Sequence, residues 1–154
     1  METTVQRTET EEKCIEWCNK MLRGERSAVE TYEQAIEKHG TNPRLAELRD
    51  IQREHKRSVS DLEACLAEMN AEADQSSGAW GVFAKTVQSA ANLFGKESAV
   101  EALMKGEEMG LNDYLSALES NELTVEHRKI YEMRLIPRIK GNLITLEALE
   151  SRID

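Results

Sequence analysis

Ile15, Cys18, Leu22, Glu25, Val29, Tyr32 and Ile36 follow one another at spacings that alternate between three and four residues without a break. That period marks one face of an α-helix packed against neighbours, so the stripe predicts a long helix facing a core. One member of the stripe is an acid. A carboxylate at the centre of a helical bundle costs several kcal/mol unless a partner or an ion balances it, so Glu25 constrains its surroundings as well as the fold.

The pattern recurs at an offset of 82 residues, which sets Arg23-Gly24-Glu25 beside Lys105-Gly106-Glu107 and Tyr32 beside Tyr114. Ala35, Ile36 and Glu37 likewise match Ala117, Leu118 and Glu119. Glu107 falls between Leu103 and Leu111 on the face that carries Tyr114. The chain reads as a duplicated helical hairpin, although a shared helical pattern can also produce a match of this length.

Two prolines, eight glycines and 5% aromatic residues leave long stretches free of helix breakers and poor in strand formers. The end signals predict main helices over residues 9–39, 43–70, 98–120 and 125–152. Thr8 with Glu11 forms a capping box, Gly40 supplies a stop, and Asn42-Pro43 reads as an N-cap followed by a first-turn proline. Ser98 with Glu101 is a second capping box, Asn121 ends the third helix, and Thr124 caps the fourth. Pro137 lies inside that last helix, removes one hydrogen bond and is expected to kink it.

Residues 71–78 read as a polar linker, followed by a short amphipathic helix over 79–94 carrying Trp80, Phe83, Val87, Ala91 and Phe94, its Trp80 and Phe83 face expected to be buried. The expected fold is therefore all-α: a four-helix bundle of two antiparallel hairpins joined by a long crossover, residues 71–97. A chain of 154 residues accommodates one domain, 1–154, with a flexible start over 1–8.

Twenty basic and twenty-nine acidic residues give a formal charge of −9, which argues against nucleic acid and anionic lipid as partners. With no long apolar run, and a polar, acidic stretch from Met1 to Glu12, the chain is expected to be cytoplasmic and not membrane-bound. A protein partner and a homo-oligomer both stay open. No nucleophile–base pair, glycine-rich phosphate loop or zinc ribbon is evident, so nothing points to a hydrolase, a kinase or a nucleotide binder. Cys14 and Cys18 share a helix face and, with Cys65, read as packing residues, the alternative being redox or metal use. Glu47 and Glu54, like Glu119 and Glu122, read as ordinary solvated positions.

His55 sits on the apolar stripe of the second helix, twelve residues past Pro43, while Glu25 lies fifteen before Gly40. At about 1.5 Å per residue the two fall at similar depth. Three arrangements are open: Glu25, His55 and Glu107 hold a metal ion; the glutamates, tyrosines, His55 and Arg138 form a metal-free polar layer; or the acids sit at the edge and reach water.

Glu25 with Tyr32, repeated as Glu107 with Tyr114, resembles the ferritin-like superfamily. More closely, Cys14 to Arg152 resembles a small bacterial ferritin-like four-helix-bundle family known as a domain of unknown function (2383). Glu33-Gln34-Ala35, the Trp80 to Phe94 crossover, Lys105-Gly106-Glu107 and Pro137-Arg138-Ile139-Lys140 carry that likeness. The resemblance implies a two-iron centre in which each hairpin supplies a glutamate and a Glu-x-x-His pair. This chain departs from it: the first hairpin offers Gln52-x-x-His55, and residues 134–139 contain neither carboxylate nor histidine. Glu132 lies off the right depth and His127 is farther away, beside a loop. The expectation is a non-enzymatic bundle with a degenerate di-iron site and no cofactor. The alternative is a metal-binding or redox bundle holding one ion, iron or zinc, through Glu25, His55 and Glu107.

Overall fold

In a computed structural model the described residues are 6–39, 46–76 and 96–152, with side chains described over 6–38, 46–76 and 99–151. They are almost entirely helical: α1 (Glu9–His39), α2 (Glu47–Glu68), α3 (Lys96–Glu119), α4 (Val125–Ile130) and α5 (Ile136–Arg152), the last two joined by a π-helical turn, Tyr131–Leu135. No described helix is long and apolar enough to cross a membrane.

The local signals explain most ends. Thr8 Oγ1 accepts from the Glu11 N–H at 3.1 Å, and Thr124 does the same for the His127 N–H at 3.2 Å, each satisfying one orphan donor of a first turn. Asn70 and Asn121 adopt left-handed φ values of 54° and 57°, which their short polar side chains tolerate and which halt α2 and α3. α3 is already helical at Lys96, so Ser98 lies within it and does not cap it; lysine and glutamate are good helix formers and extend the turn backwards. Gly40, Asn42-Pro43 and the 79–94 helix with Trp80 and Phe83 lie outside the described residues.

Pro137 follows a local change in the helix. The helix widens just before it: the Ile136 N–H reaches the Tyr131 carbonyl, five residues back. A π turn changes the hydrogen-bond register where the proline has no N–H to give, and the chain stays helical through Pro137 to Arg152.

α1 packs mainly on α2 and α3 on α5, with α1 against α3 and α2 against α5 closing the bundle. Arg7 donates to the Asn70 carbonyl at 2.7 Å, so α1 starts where α2 ends; Trp17 donates to Glu122 at 3.0 Å, so α3 ends there too. Hence α2 and α3 run the same way, and the connection between Glu68 and Lys96 must join opposite ends of the bundle, the one-long-crossover connectivity. Its first residues lie along α1: Asp74 takes a hydrogen bond from Arg23 at 3.0 Å and gives its N–H to Asn19 at 2.8 Å.

The core has two apolar clusters. One gathers Ala28, Tyr32, Leu48, Ile51, Val100, Leu103 and Leu146; the other gathers Cys14, Cys18, Leu22, Leu62, Leu66, Tyr114, Tyr131 and Leu135. Between them lies a layer of buried polar side chains. Glu122 and Glu54 also differ from the solvated reading: Glu122 receives Trp17 and pairs with Lys13 at 3.0 Å, tying the α3–α4 loop to α1, and Glu54 pairs with Arg57 at 3.0 Å and faces Arg138 at 3.7 Å.

Candidate functional site

The layer between the clusters is built from one face of each long helix. Glu25 from α1 and Glu107 from α3 are 4% and 0% exposed, which rules out solvated edge positions for both. His55 from α2 lies between them, with Nδ1 2.5 Å from Glu25 Oε2 and Nε2 2.6 Å from Glu107 Oε1. With a carboxylate oxygen facing each ring nitrogen, the surroundings favour the doubly protonated imidazolium, which can donate to both. Burial opposes that charge, but Glu107 and Glu25 outweigh it and raise the His55 pKa to about 10.

The tyrosines complete the layer by crossing over. Tyr32 donates to Glu107 and Tyr114 to Glu25, each at 2.7 Å, so the tyrosine of each hairpin serves the acid of the other. Burial and the adjacent carboxylates hold both phenols well above their ordinary pKa, fixing them as donors. Tyr32 also stacks on the His55 ring, with centroids 5.4 Å apart.

From α5 only Asn142 approaches, its amide nitrogen 3.5 Å from both Glu107 Oε1 and His55 Nε2. A donor facing a protonated ring nitrogen makes no hydrogen bond, so its useful contact is with Glu107. Glu107 Oε2 is buried without a hydrogen-bond partner among the described residues. A cavity of about 20 Å³, bordered by Glu25, His55, Tyr114, Gly24 and Gly110, adjoins the layer and is the size of one water or one small ion.

Glu25, His55 and Glu107, named from the sequence, thus lie together at a common depth in the bundle. Arg138, named as a member of the metal-free layer in one of the three arrangements, instead donates to Asp61 at 2.6 Å and to Ser58 at 3.3 Å on α2. Long guanidinium side chains reach water more cheaply than they enter a core, and Asp61 is within reach there. Gln52 also turns away, its amide donating to Glu33 Oε2 at 2.7 Å and to the Val29 carbonyl at 3.1 Å.

A second cluster, one that sequence reasoning passed over, lies at the end of the bundle where α1 and α4 begin. His127 was expected beside a loop, yet it is 2% exposed. Its Nδ1 lies 3.0 Å from Cys14 Sγ and 3.6 Å from Cys18 Sγ, and the three donor atoms lie within 4.8 Å of one another, a possible metal-binding group. The Thr124 cap sets the orientation of the first turn that carries His127. Tyr131 donates to Cys18 Sγ at 3.4 Å, and its ring meets Tyr114 edge to face with centroids 5.1 Å apart, linking this cluster to the central layer. All three cysteines are free and buried.

The cluster is electrostatically polarised. A hydrogen bond from Cys18 and the adjacent His127 bring the Cys14 pKa down to about 4 against its burial, while Cys18, which keeps its proton, is pushed up. Hydrogen bonds with Cys14 and Cys65 raise His127 to about 10. The result is a buried thiolate–imidazolium pair. A thiolate of this kind is a nucleophile only where a substrate can reach it, and Cys14 is fully buried.

The family model described as "Domain of unknown function (DUF2383)" matches residues 13–120, a span that holds Glu25, His55, Glu107 and the three cysteines but not His127 or Asn142. Comparison with curated proteins and with solved structures gave no match. With a match over more than two thirds of its length, the chain belongs to the DUF2383 family.

Proposed function

We propose that this chain is a ferritin-like bundle that has given up two-iron chemistry and serves as a non-enzymatic structural, stress-related or partner-binding protein of the cytoplasm. One observation carries the reading: the His55 imidazolium occupies the space between Glu25 and Glu107 and donates to both, so the positive charge that a metal would bring is supplied by the protein itself. The missing ligands agree with it. Gln52 is a neutral amide directed elsewhere, and α5 offers only the Asn142 amide at 3.5 Å. An oxidase needs two hard carboxylates and an imidazole around each iron.

The second reading, one ion held by Glu25, His55 and Glu107, is favoured by the unpartnered Glu107 Oε2 and by the adjoining cavity of about 20 Å³. It requires His55 to lose a proton and present one nitrogen to the ion, breaking one of its two carboxylate contacts. Thermal melts of the parent with ferrous iron or zinc separate the two. At a hundredfold excess over its dissociation constant a bound ion stabilises by about 2.7 kcal/mol. A rise in melting temperature that disappears in Glu25→Leu and in His55→Leu overturns the metal-free reading; no rise, or one that persists in both variants, supports it.

A further inference from the structure

The thiol–imidazole cluster is not demanded by packing. At the 82-residue offset the counterpart of Cys18 is Val100, which is 1% exposed in the apolar cluster at the other end of the bundle. The same position in the fold is filled there by an ordinary hydrocarbon side chain. At the thiol end, by contrast, Cys14, Cys18 and one of the chain's three histidines converge, with the His127 Nδ1 3.0 Å from Cys14 Sγ and 3.6 Å from Cys18 Sγ.

We propose that Cys14, Cys18 and His127 form the binding site of a single zinc ion, which fastens the start of α1 to the start of α4. The geometry carries it. Tetrahedral zinc with sulfur at about 2.3 Å and nitrogen at about 2.0 Å places each sulfur about 3.5 Å from the nitrogen. The observed separations of 3.0 and 3.6 Å bracket that figure, and all three donor atoms lie within 4.8 Å of one another. Spacing of four on one helix presents both sulfurs on the same face, as chelation needs.

Thiolate and imidazole ligands select zinc over magnesium and calcium, which prefer oxygen. The surroundings also suit a ligand set. Tyr131 donates to Cys18 Sγ, the kind of outer hydrogen bond that orients a metal-bound thiolate, and the Thr124 cap holds the turn that presents His127. Zinc takes both cysteines as thiolates and His127 as a neutral imidazole, and whatever protons these groups carry beforehand are released to solvent. Two thiolates and a neutral imidazole then leave the site neutral.

The test uses the full, reduced chain with cobalt(II) as a spectroscopic stand-in and zinc as competitor. The expected result is one equivalent of cobalt with sulfur-to-metal charge-transfer absorption, displaced by zinc with release of protons. Zinc at a hundredfold excess over its dissociation constant should also slow alkylation of the cysteines about a hundredfold, because the ion binds only the closed state. The spectrum should vanish in Cys18→Ser and in His127→Asn and persist in Glu25→Leu, which separates this site from the central layer. The parent spectrum is decisive even if a variant fails to fold: absence of sulfur-to-cobalt charge transfer in the reduced parent, or its survival in a folded Cys18→Ser, overturns the proposal.

Discussion

Removing the His55 ring tests the central layer most directly. In His55→Leu, Glu25 keeps only the Tyr114 hydroxyl at 2.7 Å, and Glu107 keeps Tyr32 at 2.7 Å and the long Asn142 contact. Two carboxylates that are 4% and 0% exposed then lack their shared cation. Breaking a buried ion pair by removing one partner costs about 3–5 kcal/mol. Against a total stability of about 5–15 kcal/mol for a domain, the variant should remain folded but visibly weakened. At about 2–4 °C per kcal/mol for a chain of this size, the melting temperature should fall by roughly 6–20 °C. Removing all the charge should do the opposite. A variant carrying Glu25→Leu, His55→Leu and Glu107→Leu with Tyr32→Phe and Tyr114→Phe leaves no buried hydroxyl orphaned, and replacement of this kind is neutral or stabilising by about 1–4 kcal/mol. Urea unfolding followed by far-UV circular dichroism at neutral pH measures both. A loss under about 1 kcal/mol in the single variant, or a multiple variant less stable than the single one, refutes the reasoning.

The other expectations concern titration and the tyrosine donors. The folded His55 pKa is raised to about 10 from an ordinary 6.5, so its stabilisation is complete below 6.5 and is lost as the pH rises through 10; melting temperature should fall over that window in the parent more than in His55→Leu, and equal pH profiles would contradict it. Tyr32→Phe and Tyr114→Phe each remove a donor to a buried carboxylate and should cost about 1.5–3 kcal/mol, measured by urea unfolding; a loss indistinguishable from zero would mean that water replaces the phenol.

What the sequence made legible was whatever follows from periodicity and caps. The alternating stripe of α1, the Thr8 and Thr124 caps and the two asparagine stops gave most boundaries within a residue or two, because each depends on a local hydrogen bond or backbone angle. Depth counting placed Glu25 beside His55, since rise per residue is constant in a helix. The same counting, applied to Cys14 and Cys18 at the start of α1, Cys65 near the end of the antiparallel α2 and His127 at the start of α4, would have put all four at one end of the bundle. That arithmetic requires knowing that α4 runs parallel to α1, which depends on the crossover and not on any local signal. Arg138 and Gln52 illustrate the remaining difficulty: a long polar side chain at a helix edge has several partners in reach, and the choice between Asp61 and the centre, or Glu33 and the centre, is made by packing.

The asymmetry of the central layer has a definite origin in the repeat. Glu25 and Glu107 correspond at the 82-residue offset, as do Tyr32 and Tyr114, and the crossed hydroxyl bonds at 2.7 Å respect that correspondence. His55 breaks it, for the residue 82 positions on is Pro137, which has no side-chain donor and no N–H. Two acids and one ring remain where an exact repeat would have supplied two of each. A single imidazolium can reach both only by lying between them, with one nitrogen toward each, and this is where it sits. The leftover acceptor is Glu107 Oε2, on the acid whose own hairpin lost the ring, and the nearest help from α5 is an amide at 3.5 Å.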